Sequence, residues 1–147
     1  MDGLIRIVAG YHSSQASLHA LAVAKSVGTP MSAEIHVVHG IELLDYPLDP
    51  EAPDWEKQGE AFVEGERETV ETVMADYVGP WHYHQVRGSA YRAICQLAET
   101  CEPMMVIVGR RHVNRVAERL GSHSLMERLF DGCSCPVLVV TTRGTPS

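Results

Sequence analysis

The 147-residue chain has no apolar stretch near the roughly 20 residues that cross a bilayer, and this sets a membrane-spanning role aside. Its opening Met1-Asp2-Gly3 passes straight into strand-like residues without the charged and apolar regions of a secretory signal. A cytoplasmic location is therefore expected. Positive charge is scarce: 12 Lys and Arg stand against 19 Asp and Glu, for a formal net charge of -7. Nucleic acids and anionic membranes are gripped through Lys and Arg, so neither is an expected partner. Cysteine is limited to Cys95, Cys101, Cys133 and Cys135. Cys133-Ser-Cys135 lacks the Cys-x-x-Cys spacing of redox and zinc motifs and no second pair matches it, which leaves reduced thiols as the expected state.

What is present is enough for one globular domain over residues 1–147. With 45% hydrophobic and 21% charged residues, a chain of this length buries roughly two thirds of the surface that its unfolded form exposes. Strand and helix signals alternate throughout. Residues 4–10 form a short apolar run ending in Gly10, and His12, Ser13 and Ser14 can each cap a following helix. Ala16, Ala20, Val23, Ala24 and Val27 recur at helical spacing, and Gly28-Thr29-Pro30 reads as a C-terminal glycine with a proline stop. Residues 33–39, rich in β-branched side chains, run into Gly40 as a second strand.

Between Glu42 and Gly59, three prolines among acidic residues predict a solvated loop. A second helix is expected over about residues 59–77, a third strand over 81–87, and a third helix carrying Ala90, Ala93, Ile94, Leu97, Ala98 and Cys101 on one stripe. Val-Ile-Val-Gly109, a polar stretch, an amphipathic run and a final strand close the chain. That strand begins at Pro136 and ends at Thr142.

The alternation predicts an α/β domain: a five-stranded, mostly parallel sheet with right-handed crossovers and helices on both faces. Ligands of such sheets bind beyond the carboxyl ends of the strands, where strand order reverses. Residues 10–14, 39–41 and 109–124 fall on that edge. The last of these carries Gly109-Arg110-Arg111-His112 and then Gly121-Ser122-His123-Ser124, an arrangement that can turn backbone N–H groups and a helix N-terminus toward a phosphate.

Taken together these residues resemble the universal stress protein family over essentially the whole chain. The resemblance rests on Gly10-Tyr-His12-Ser-Ser14-Gln-Ala-Ser17-Leu-His-Ala20-Leu21, Val38-His39, Gly88-Ser-Ala-Tyr-Arg-Ala-Ile94, Leu120-Gly121-Ser122 and Cys135-Pro136-Val-Leu-Val-Val140. It implies a Rossmann-like fold of the adenine nucleotide alpha hydrolase type. It also implies a homodimer formed through the last strands, and ATP or another adenine nucleotide, with Mg²⁺ as a companion ion, held along Ala9, Gly10, His12, Ser13, Ser14, Gly40, Val108, Gly109, Arg110, Arg111, His112, Gly121, Ser122, His123 and Ser124.

Two departures bear on that site. The family's Gly-x-x-Gly has His112 at its second glycine, and eight residues separate His112 from Gly121, one fewer than the family spacing; a histidine there fills space that the phosphate tail needs. His12 and Ser13 replace the family's Asp-Gly, and Gly40 replaces an apolar residue on the adenine side. Retained are the Gly121 helix start and the charges of Arg110, Arg111 and Arg115, which suit phosphate. A family member without nucleotide, acting through protein contacts, is the alternative.

No catalytic set is expected. His12, Ser13, Ser14 and Glu42 are not ordered as a triad, and the Ser-Gly-Gly-x-Asp-Ser loop of adenylating and pyrophosphatase relatives is missing after the first strand. Of eight histidines, His12, His112 and His123 are placed by the resemblance around one cleft and would make binding sensitive to pH between about 5 and 8. His82 and His84 share one strand face, without a neighbouring carboxylate or cysteine in sequence to complete a metal site; no metal is expected.

Overall fold

The computed structural model describes residues 3–12, 14–41, 51–88, 90–110 and 132–141. In chain order the elements are β1 (Arg6–Tyr11), α1 (Gln15–Gly28), β2 (Glu34–Ile41), α2 (Trp55–Met74), β3 (Trp81–Arg87), α3 (Tyr91–Cys101), β4 (Met105–Gly109) and β5 (Val137–Val140). The strands form one sheet in the order β3-β2-β1-β4-β5, and each pairing is parallel. Parallel neighbours need a crossover, which α1 supplies from β1 to β2 and α2 from β2 to β3, while α3 carries the chain from β3 to β4.

Both faces of the central strands are covered, and this is why β1 reads as an unbroken apolar run. On one face Ile7, Ala9, Tyr11, Ile35, Val37 and Ile107 pack against Ala20, Leu21 and Ala24 of α1 and Val70 and Met74 of α2. On the other, Val8, Val38, Val106 and Val108 meet Ala90 and, in α3, Ile94. β5 lies at one edge of the sheet and β3 at the other.

Several boundaries differ from the sequence reading for identifiable reasons. The loop expected to reach Gly59 ends at Asp54, because the prolines stop at Pro53 and the next five residues carry no breaker. Trp55 then hydrogen-bonds back to the Ala52 carbonyl and Gln58 to the Asp54 carbonyl. Residues 42–50 of that loop, and the helix expected after Ser124, lie outside the described residues. α1 ends at Gly28 as expected; a 3-10 turn, Thr29–Met31, follows, and Ser32 takes the positive φ of 47°. Gly28 also serves packing, since a Cβ there would sit 2.5 Å from the Tyr77 hydroxyl, which donates to the Ala33 carbonyl. The final strand, expected from Pro136 to Thr142, is Val137–Val140; Thr142 lies outside the described residues.

Gly109 sets the tightest contact between helix and sheet. A Cβ on it would collide with the backbone of Ala16 and lie 2.7 Å from the Ser17 nitrogen, so the first turn of α1 rests directly on the end of β4. Gly65, on α2, meets nothing within 4 Å. Gly109→Ala is expected to lower the unfolding free energy by about 3 kcal/mol, the upper end for overpacking, whereas Gly65→Ala raises it by about 0.5–1 kcal/mol. Urea denaturation of both variants checks the pair, and equal effects would contradict this account of Gly109.

Candidate functional site

The sheet order reverses between β1 and β4: from β1 the chain moves to β2 on one side and reaches β4 only later, on the other. Such a reversal opens a crevice beyond the strand ends. Its walls are the end of β1 with the start of α1, and the end of β4. Ser14 caps α1 by accepting from the Ser17 N–H at 3.1 Å, and Ser17 Oγ accepts from the His12 N–H at 3.1 Å. The two hydroxyls thus fix the path from strand to helix. The first turn of α1 carries no acidic residue, so none of its own carboxylates offsets the partial positive charge of the helix start.

Gly10 is paired with Val38 of β2, and a Cβ on it would press on Val108 at 3.0 Å and Ile94 at 3.3 Å. The side chains of Ala9 and Val108 are buried in opposite faces of the core, so only their backbones can face a ligand. Gly109 closes β4. Arg110 is exposed, and its N–H donates to the Val140 carbonyl at 2.8 Å, which carries the β4–β5 alignment to the rim. Gly40 stands apart from this group. The space of a side chain there is taken by the Ala90 nitrogen at 2.8 Å and the Gly88 carbonyl at 3.0 Å. Ser13, Arg111, His112, Gly121, Ser122, His123 and Ser124 lie outside the described residues.

Beneath this rim is a polar network that the sequence did not announce. His39, only 4% exposed, has Nδ1 2.7 Å from the Tyr83 hydroxyl and its ring edge-on to Tyr11 at 5.0 Å. Tyr11 donates to Glu66 Oε2 at 2.6 Å, and the Arg67 guanidinium lies 5.7 Å over the Tyr83 ring. The network ties β1, β2 and β3 to the middle of α2. Burial, followed by the hydrogen bond and negative charge of Glu66, pushes the Tyr11 phenol well above its ordinary value. Burial also raises Tyr83 to about 12, against the opposing charge of Arg67.

The cysteines cluster on the opposite face. Cys133 Sγ and Cys135 Sγ are 3.5 Å apart, and Cys95 packs with them against the α3 side of the core. Burial, then the neighbouring Cys133, raises the Cys135 thiol to about 12, and burial raises Cys95. The Cys95 and Cys135 thiols stay protonated near neutral pH and are poor nucleophiles.

Comparison with known proteins agrees with this architecture. The model of the universal stress protein family matches residues 5–141. Universal stress protein MJ0531 of Methanocaldococcus jannaschii is 26% identical over 138 residues, which cover 92% of this chain and 81% of that protein. Among solved structures, a universal stress protein from Archaeoglobus fulgidus in complex with dAMP superposes with a TM-score of 0.62 at 14% identity, covering 95% of this chain and 99% of that one. A universal stress protein in complex with cAMP gives 0.65 at 19% identity, covering 95% and 98%. At these identities the two structural likenesses carry the fold.

The raised tyrosines set an alkaline limit on stability. A phenol whose pKa is higher folded than unfolded contributes stability that is intact below its unfolded value and lost as pH rises through the folded one. For Tyr83 that window runs from 10.0 to about 12. The unfolding free energy is expected to fall across it, and to fall less in Tyr83→Phe. Denaturant titrations at a series of alkaline pH values measure this; identical slopes in both proteins would refute it.

Proposed function

The chain belongs to the universal stress protein family, and on that premise we propose that it is a cytoplasmic, dimeric stress-response or signalling protein that binds an adenine nucleotide, ATP or AMP, in the β1/β4 crevice. The observation that carries this reading is the crevice itself: a strand order that reverses between two glycine-bearing strand ends, overhung by the first turn of α1. A helix start favours the charge of a phosphate. The dAMP and cAMP complexes of the two structural relatives support the choice of ligand. In the proposed arrangement Gly10, His12 and Ser14 line one wall, Gly109 and Arg110 the other, and Arg110 engages the phosphates; Mg²⁺ accompanies a triphosphate.

Binding without rapid turnover is the form of activity proposed. Ser14 and Ser17 each accept a backbone N–H, a capping arrangement, and occupancy then acts by changing the dimer or a partner surface. Pairing of β5 with its copy is the proposed dimer contact. β5 is an edge strand whose Leu138 is 39% exposed, and an apolar edge of this kind invites another strand. His112, at the place of a glycine, favours the second reading, a family member that has lost nucleotide and works through protein contacts alone.

Native mass spectrometry of protein purified without added ligand, followed by calorimetric titration with ATP and AMP, separates the two. A dimer that retains or takes up one nucleotide per chain is expected. Arg110→Ala should weaken ATP binding about tenfold or more, the scale of a charged hydrogen bond. A dimer that stays empty and ignores both nucleotides supports the second reading instead.

A further inference from the structure

At the opposite end of the sheet from the crevice, the α3-side face carries a concentration of imidazoles. Glu34 opens β2 and His36 follows on the same face, while β3 places His82 in register with His36 and His84 beside Val38. His36 Nε2 lies 2.6 Å from Glu34 Oε1, and His82 Nε2 lies 3.6 Å from Glu34 Oε2. His36 Nδ1 is 2.8 Å from His84 Nε2. The His36 ring is stacked with those of His82 and His84, with centroids 4.9 and 5.1 Å apart. Arg6 Nε donates to Glu34 Oε1 at 3.1 Å. The carboxylate that the sequence around His82 and His84 lacks is thus supplied by the adjacent strand.

We propose that Glu34, His36 and His82 bind one Zn²⁺ ion, with His84 orienting His36. One ligand atom from each of the three residues lies within 4.8 Å of the other two. Four-coordinate zinc, with bonds of about 2.0–2.1 Å to nitrogen and oxygen, holds its ligand atoms roughly 3.3 Å apart; here His36 Nε2 lies 2.6 Å from one Glu34 oxygen and His82 Nε2 3.6 Å from the other. Two imidazoles with one carboxylate select zinc over calcium or magnesium, which prefer all-oxygen sites, and water completes the fourth position. The Glu34 and His36 side chains are 15% and 12% exposed, while His82 is 53% exposed, so two ligands are preset and the third faces solvent as the point of entry.

His84 has a defined part in the exchange. Without metal, an ionised Glu34 only accepts, so a neutral His36 donates through Nε2 and its Nδ1 accepts from His84 Nε2–H. When Nε2 binds zinc, the His36 proton resides on Nδ1 and donates to His84 Nε2, whose own proton moves to its Nδ1. A metal-bound histidine usually donates its other N–H to a fixed acceptor, and removal of that acceptor weakens binding about 10–100-fold. Glu34 and Gly40 lie towards opposite ends of β2, roughly 20 Å apart, so this site is separate from the proposed nucleotide crevice and does not depend on it.

The test is calorimetric titration of the untagged full chain with Zn²⁺ alone, with Co²⁺ absorption as a probe of ligand type. One ion per chain is expected, with a four-coordinate Co²⁺ spectrum lacking a thiolate charge-transfer band. Binding should weaken at least tenfold in Glu34→Gln and in His82→Ala, about tenfold or more in His84→Ala, and not at all in Cys133→Ser/Cys135→Ser. His82 is exposed enough for its variant to retain the fold, which circular dichroism verifies. Absence of Zn²⁺ binding, full-strength binding in His82→Ala, or loss in the cysteine variant would each overturn the proposal.

Discussion

The close approach of α1 to the end of β4 is the constraint on which the upper half of the molecule depends. Ala16 and Ser17 lie where any side chain at position 109 would have to be, so helix and strand are joined backbone to backbone. That contact places the helix start over the boundary where strand order reverses. Beside it, Ser17 Oγ accepts from the His12 N–H and Ser14 Oγ from the Ser17 N–H. A wider separation would leave a gap over β4, move the helix dipole away from the rim, and loosen the capping that ends β1.

Much of the fold is legible in the sequence because its local signals agree with one another. β3 spans the expected residues, since alternation over 81–87 is bounded by Pro80 and Gly88. α1 starts where Ser14 can cap it. Where local signals mislead, tertiary contacts are the cause. Gly40 reads as facing a ligand, but the space of its side chain is taken by Gly88 and Ala90. The start of α2 was hidden by a proline-rich composition that ends sooner than the acidic one.

The candidate site was legible to a lesser degree. Gly10, Ser14 and Gly109 could be picked out because glycine at a strand end and serine before a helix are local marks. The His39 network could not, since Tyr11, Glu66 and Tyr83 have no sequence relation to it, and the same holds for the Glu34 cluster. His36 alternates with Glu34 on one strand and His82 with His84 on another, but their register depends on which strands are neighbours. A sheet of this kind can therefore present two chemistries at its two ends: main-chain groups and a helix dipole at one, side chains projecting from paired strands at the other.

The distribution of burial along α2 has a consequence for motion. Of its twenty residues only Val70 and Met74 are fully buried, both near its end, while Trp55 at its start is 42% exposed. The bond from Tyr11 to Glu66 comes just before those two core positions. Local opening follows the density of such contacts, so α2 behaves as a docked half and a projecting half. The amides of the projecting half exchange with solvent through partial unwinding of that end alone, at a small fraction of the cost of opening the sheet.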